Sequence, residues 1–217
     1  MFELKTTVER YGYAFLRGAF NQNDAGAVAA SLGCPLVPWD GGLVQRIIPR
    51  ETSTPNTYSG IYGLGRFPFH SDLAHWSEPP RYLLLRCVKG YADVPTLLVD
   101  GRTLAAAVSL DILARAIFKP RRPRAGVLNL LRLCDTTDHG HRIRWDEVFL
   151  KPASKIGQIA HGAVHAWLAD CQPLRCCLHQ AGDVLVIDNW RMLHARASVP
   201  SGRHDRSIER VYLRSLH

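Results

Sequence analysis

The stretch GDVLVIDNWRMLHAR, residues 182–196, decides the fold. An aliphatic, β-branched run over 183–187 follows the turn Ala181-Gly182, breaks at the polar corner Asp188-Asn189, and resumes over 192–197. Each run is too short for a helix and is bounded by turn residues, so two strands are expected, the second returning the chain to the interior it left. Similar short apolar runs recur at 13–17, 43–48, 67–72, 82–88, 96–99, 127–133, 176–180 and 208–214. Helices are expected at 23–32, closed by Gly33 as a left-handed cap, at 103–118 and at 156–168, where the apolar residues share one face. Many short strands with few helices predict a mainly β protein with flanking helices, a jelly roll. No GxGxxG or P-loop glycine pattern supports a doubly wound nucleotide fold.

The second strand of that opening stretch carries His194, and FPFHSDLAHW, residues 67–76, carries His70 and Asp72. Side chains at i and i+2 of a strand share a face, so His70 and Asp72 can reach one ion if the strand lines a cavity. With His194 the set becomes two histidines and one carboxylate, the facial arrangement of non-haem Fe(II) oxygenases. An isolated HxD triplet is also a common surface hydrogen-bonded pair. Among the arginines that follow His194 are Arg196, Arg206 and Arg210, with Arg203 also nearby. A guanidinium in that position matches the fork geometry of a carboxylate.

Taken together, GYAFLRG, the helix ending in LG, FPFHSD, PPRYLLLRC, TLLVDG, GDVLVIDNWRMLHARASV and RSIERVYL resemble the taurine dioxygenase-like (clavaminate synthase-like) branch of the Fe(II)/2-oxoglutarate-dependent oxygenases. The resemblance implies a double-stranded β-helix with iron on His70, Asp72 and His194. It further implies 2-oxoglutarate as co-substrate, with its distal carboxylate on Arg206 assisted by Thr96, and O₂ as oxidant. Arg210 resembles a position that faces the primary substrate. The implied reaction is hydroxylation of an unactivated C–H bond, with desaturation or ring formation as variants; a carboxylate at Asp72 disfavours halogenation. Two departures occur: Asp93-Val94-Pro95-Thr96 stands where relatives often have Gly-Gly-Asp-Thr, and His194-Ala195-Arg196 where they often have His-Gly-Arg. The interval between the first and last ligands is short for the family. This predicts a more open pocket, suited to a bulky or carrier-bound substrate or completed by a partner subunit.

Composition narrows the alternatives. Hydrophobic residues make up 47% and charged residues 21% of the 217-residue chain, the balance of a soluble globular protein, and no linker-like tract divides residues 1–217, so a single domain is expected. The N-terminus lacks the pattern of a secretory signal and no apolar run is long enough to span a membrane, which predicts a cytoplasmic protein with its six cysteines reduced. Lys and Arg exceed Asp and Glu by 27 to 19, a net charge of +8. The densest basic segment, residues 119–124, contains two prolines and reads as a solvated loop rather than a nucleic-acid site.

His75 and Trp76 are candidate substrate contacts, while Trp190 is expected to pack the jelly-roll mouth. His161 and His165 lie i, i+4 on a helix without the glutamate of HExxH and read as solvated. Cys134, His139 and His141 match no tetrahedral metal spacing. The expected partner is a small molecule, with an oligomer possible. The rival readings are an oxygenase acting on nucleic acid and a non-catalytic jelly-roll binding module.

Overall fold

A computed structural model describes residues 2–20, 24–38, 41–124, 126–138 and 140–217. Its larger sheet runs in the order Tyr13–Leu16, Val184–Asp188, Tyr82–Lys89, Ser207–Leu216 and Gly33–Leu36, with Gln45–Ile47 also paired to Ser207–Leu216. The smaller sheet sets Thr96–Asp100 between Leu174–Cys176 and Met192–Arg196. The corner at Asp188-Asn189 therefore carries the chain from one sheet to the other, as residues 182–196 led us to expect.

Strand alternation builds the layers. Leu83, Leu85 and Cys87 share one apolar cluster with Leu185, Ile187, Ile208 and Tyr212 from the large sheet and Leu98, Cys176 and Met192 from the small one. This is the jelly-roll interior. The alternate residues Tyr82, Leu84, Val184, Val186, Val211 and Leu213 face the other way and join Val8, Val28 and Ala29 of the helices Phe2–Tyr11 and Ala25–Leu32. On the outside of the small sheet, Leu97, Val99, Leu193 and Ala195 pack with Leu104, Leu113, Ala160 and Val164 from the helices Gly101–Val108, Leu110–Arg115 and Lys155–Asp170. Both faces of both sheets are thus covered, which is why their strands read as apolar runs rather than clean alternations.

Several elements differ from expectation. Residues 67–72 form no extended strand: His70 makes an isolated antiparallel bridge to His194, and the chain then turns, with Leu73 at φ +57°. Pro68 supplies no ladder N–H, and the Asp72 N–H is taken by the Asn189 side chain. Residues 103–118 divide into two helices, Gly101–Val108 and Leu110–Arg115, broken at Ser109 (φ +90°), and end as the strand Ile117–Pro120. Asp100 caps the first, its side chain accepting from the Arg102 N–H. Ile117 and Phe118 pair with Arg132 and Leu131, so tertiary pairing of a β-branched and an aromatic residue overrides the helical pattern before them. Within 127–133 only Leu131–Arg132 is a strand, and 176–180 is replaced by Leu174–Cys176. The helix Phe2–Tyr11 was not anticipated, and Asn23 lies outside the described residues.

Gly33 is no left-handed cap. At φ −179° it is extended and opens the strand Gly33–Leu36, and glycine is needed there because a Cβ would stand 2.1 Å from the Ser215 carbonyl oxygen. Gly33→Ala is expected to lower stability by about 1–3 kcal/mol through forced backbone displacement, read from a denaturant midpoint at unchanged slope. Among the described residues, no helix is long and apolar enough to cross a membrane.

Candidate metal centre and its cavity

The bridge between the sequence-distant segments places two imidazoles side by side: His70 N–H bonds to His194 O at 2.9 Å and His194 N–H to His70 O at 2.8 Å. The His70 Nδ1 lies 2.9 Å from the Pro68 carbonyl, which assigns the proton to Nδ1 and leaves Nε2 a lone-pair donor. Both Nε2 atoms, of His70 and His194, stand 3.5 Å from Asp72 Oδ1. His70, Asp72 and His194 form the only cluster of potential metal ligands found among the described residues, their donor atoms within 4.8 Å of one another.

Asp72 is held from behind. Its Oδ2 accepts from Arg210 Nη1 and from the Tyr212 hydroxyl, each at 3.0 Å. Its backbone is clasped by Asn189, whose Oδ1 accepts the Asp72 N–H at 2.7 Å and whose Nδ2 donates to Asp72 O at 3.0 Å and to Pro80 O at 2.9 Å. The corner residue thus aims Oδ1 at the histidines. Burial alone would raise the Asp72 carboxyl, but Arg210 and the two histidines hold it well below the usual carboxylate range. Burial and the neighbouring His70 keep His194 below its ordinary value. An ionised carboxylate oxygen and two imidazole nitrogens converging with no further ligand suit one divalent cation with open positions.

The centre opens into a cavity of about 350 Å³. Arg206 lines it, 4% exposed, with Nε buried and without a hydrogen-bond partner. Burial pulls this guanidinium down to about 10. Thr96 lies on the same wall. The competing arginines are engaged elsewhere. Arg196 donates to the carbonyls of Gly63 (2.8 Å) and Gly65 (2.6 Å), and exposed Arg203 pairs with Asp93 at 3.3 Å. Arg210, expected from the resemblance to face substrate, commits its guanidinium to Asp72 Oδ2 and, at 2.8 Å and 3.0 Å, to Gln45 Oε1.

His75 does line the cavity, and burial with Arg124 and Arg121 nearby pushes it down to about 4, so it is neutral. Trp76 lies outside that wall, with the Arg124 guanidinium 3.3 Å from its ring centroid. The expected solvated loop at 119–124 therefore packs partly on aromatics: Arg121 covers Phe149 at 4.9 Å and donates to Asn56 O at 2.6 Å. Lys119 and Pro120 belong to a strand. Trp190 donates to Pro79 O at 2.9 Å, a packing role. His161 stacks toward Trp145 and His165 on the helix Lys155–Asp170, with no third ligand among the described residues. Cys134 and His141 sit on a hairpin and His139 lies outside the described residues.

Sequence reasoning missed four contributors. Two are tyrosines: Tyr212 holds Asp72, and Tyr58 stacks on the His70 ring with centroids 4.4 Å apart. Asn189 was noticed only as a turn residue. Asp146, within Trp145-Asp146-Glu147, is 3% exposed and lines the cavity. Nothing in the local sequence around each of them points to the site, because each reaches it through contacts between distant segments.

The sequence profile described as "Taurine catabolism dioxygenase TauD, TfdA family" matches residues 2–125. Among curated proteins none matches the chain in sequence. Among solved structures, an asparagine oxygenase in complex with Fe(II), 2S,3S-3-hydroxyasparagine and succinate is similar at 16% identity, covering 96% of this chain and 77% of that one, with a TM-score of 0.71. The non-haem iron oxygenase OrfP, in complex with Fe, succinate and (3S)-hydroxy-L-Arg, is similar at 20% identity, 98% and 78% coverage and a TM-score of 0.67. PvcB, an Fe, α-ketoglutarate-dependent oxygenase from an isonitrile synthetic pathway, is similar at 18% identity, 97% and 78% coverage and a TM-score of 0.70. At these identities the likeness is one of fold.

Proposed function

Because this chain belongs to the taurine catabolism dioxygenase TauD, TfdA family, we propose that it is an Fe(II)- and 2-oxoglutarate-dependent oxygenase that hydroxylates a C–H bond of a small molecule. The observation that carries this reading is the convergence of His70 Nε2, His194 Nε2 and Asp72 Oδ1 on one point of a cavity that also holds a partnerless, buried Arg206. When bound by these three residues, Fe(II) supplies the O₂ chemistry that converts 2-oxoglutarate to succinate and CO₂ and oxidises the substrate.

The chain's own residues do the rest. Pro68 O fixes the His70 tautomer, and Arg210 with Tyr212 keeps Asp72 ionised and its Oδ1 directed inward. Arg206 takes the distal carboxylate of 2-oxoglutarate through paired N–H donors, with the Thr96 hydroxyl beside it. Leu73, Leu83, Leu85 and Ile208 give the cavity an apolar wall that limits water at the reacting carbon. The complexes of asparagine oxygenase with 3-hydroxyasparagine and of OrfP with (3S)-hydroxy-L-Arg support an amino acid or a related natural-product intermediate as the substrate class.

We assign the enzyme to the cytoplasm. All six cysteines are free, which agrees with a reducing compartment. The test of the activity is succinate release from 2-oxoglutarate. It should require added Fe(II) and O₂ and rise when an accepted amino acid is included. Turnover undiminished by a chelator would overturn the reading.

A further inference from the structure

Charges lining the cavity can be assigned one by one. Asp72 is directed at the metal position and backed by Arg210, Arg196 is tied through Nη2 to two backbone carbonyls, and Arg206 makes no side-chain hydrogen bond and is assigned to the co-substrate. His75 is neutral. One carboxyl group is left over, and burial raises it above the usual carboxylate range against the opposing pull of His70, Tyr58 and two backbone N–H groups. Asp146 is almost fully buried on the cavity wall, and among the described residues no lysine or arginine pairs with it. Its Oδ1 accepts the N–H groups of Val148 (2.8 Å) and Phe149 (2.7 Å), which fixes the carboxyl plane.

The walls beside it are aromatic. Tyr58 lies 5.8 Å from Phe149 in an edge-on arrangement and stacks on His70, and its buried hydroxyl is directed at the Asp146 carboxyl. Burial, followed by the nearby Asp146 charge, pushes that hydroxyl well above its ordinary value, so it stays a donor. A buried carboxylate without a counter-ion is costly, and proteins retain one where a cation arrives to complete it. Aromatic faces add attraction for the same kind of group.

The geometry points to Asp146 as the group that recognises a cationic substituent of the substrate, an ammonium, guanidinium or amidinium, seated against Tyr58 and Phe149. This deepens the oxygenase reading and rests on it. With an anionic or neutral substrate Asp146 would have to take up a proton, whereas a cationic group holds it ionised. Discrimination between a cation and its neutral isostere at such a site arises because the wrong ligand leaves that buried carboxyl without its ionic partner.

The experiment uses small probes that need no knowledge of the substrate's shape. Binding of methylguanidinium and of its neutral isostere N-methylurea is measured by calorimetry on the protein loaded with Fe(II) and 2-oxoglutarate without O₂, and L-arginine is compared with L-citrulline in the same way. The cation of each pair should bind at least about 10-fold tighter. Asp146→Asn, which keeps an oxygen for the Val148 and Phe149 N–H groups, should erase that preference while leaving 2-oxoglutarate affinity unchanged. Tyr58→Leu should reduce the preference without abolishing it, and serves if the first variant does not fold. Equal binding of cation and isostere in the parent, or a preference that survives Asp146→Asn, overturns the inference. Failure of 2-oxoglutarate to bind the parent protein instead overturns the oxygenase reading, and the two results are distinguishable in one titration series.

Discussion

His194→Ala is expected to abolish 2-oxoglutarate turnover, with iron affinity falling by more than about 100-fold, because loss of even an outer partner of a metal ligand costs about 10–100-fold. His70→Ala and Asp72→Ala should do the same. The protein should nevertheless remain folded. The three side chains meet in a cavity rather than within the apolar clusters that join the layers, and none appears in those clusters. Asp72→Ala carries an extra consequence, since it strands Arg210 and the Tyr212 hydroxyl, both of which bond Oδ2. Its melting temperature should therefore fall further than that of either histidine variant. Equal iron retention by His194→Ala and the parent protein would remove His194 from the ligand set.

Arg206→Ala is expected to raise the 2-oxoglutarate requirement by about 30- to 5,000-fold, the equivalent of about 2–5 kcal/mol for truncating one partner of a buried, hydrogen-bonded charge pair. Arg206→Lys should recover only part of this, because an ammonium keeps the charge but not the two-pronged fork. Arg196→Ala and Arg203→Ala act as controls. The first guanidinium is anchored through Nη2 to the Gly63 and Gly65 carbonyls and the second pairs with Asp93 at the surface, so each already has a structural partner. A steep rise in either control with none in Arg206→Ala would reassign the anchor.

The cluster of His70, Asp72 and His194 was legible in the sequence for a physical reason that held only in part. An HxD spacing suggested a strand presenting two side chains to one face, yet Pro68 prevents a ladder and the bridge to His194 does the positioning instead. The residue types and their order survived the change of backbone because a turn after His70 can converge the same two groups. Residues 182–196 read correctly as two strands around a corner because short runs dominated by buried apolar residues flank the polar bend at Asp188-Asn189. What stayed hidden depends on contacts between segments far apart in the chain. No local pattern tells that Asn189 reaches back to Asp72, that Tyr58 covers His70, or that Asp146 ends in the cavity. The helix expected over 103–118 failed for a related reason: an Ala- and Leu-rich pattern says nothing of the strands waiting to pair with Ile117 and Phe118.

The most direct test of the central claim is an oxygen-free calorimetric titration of the purified protein with Fe(II) and then with 2-oxoglutarate. The account predicts one Fe(II) bound per chain, 2-oxoglutarate binding that requires the iron, loss of both in His194→Ala, and loss of the second alone in Arg206→Ala. Tight 2-oxoglutarate binding to the iron-free protein, or Fe(II) binding of unchanged affinity when His70, Asp72 and His194 are all alanine, would contradict it.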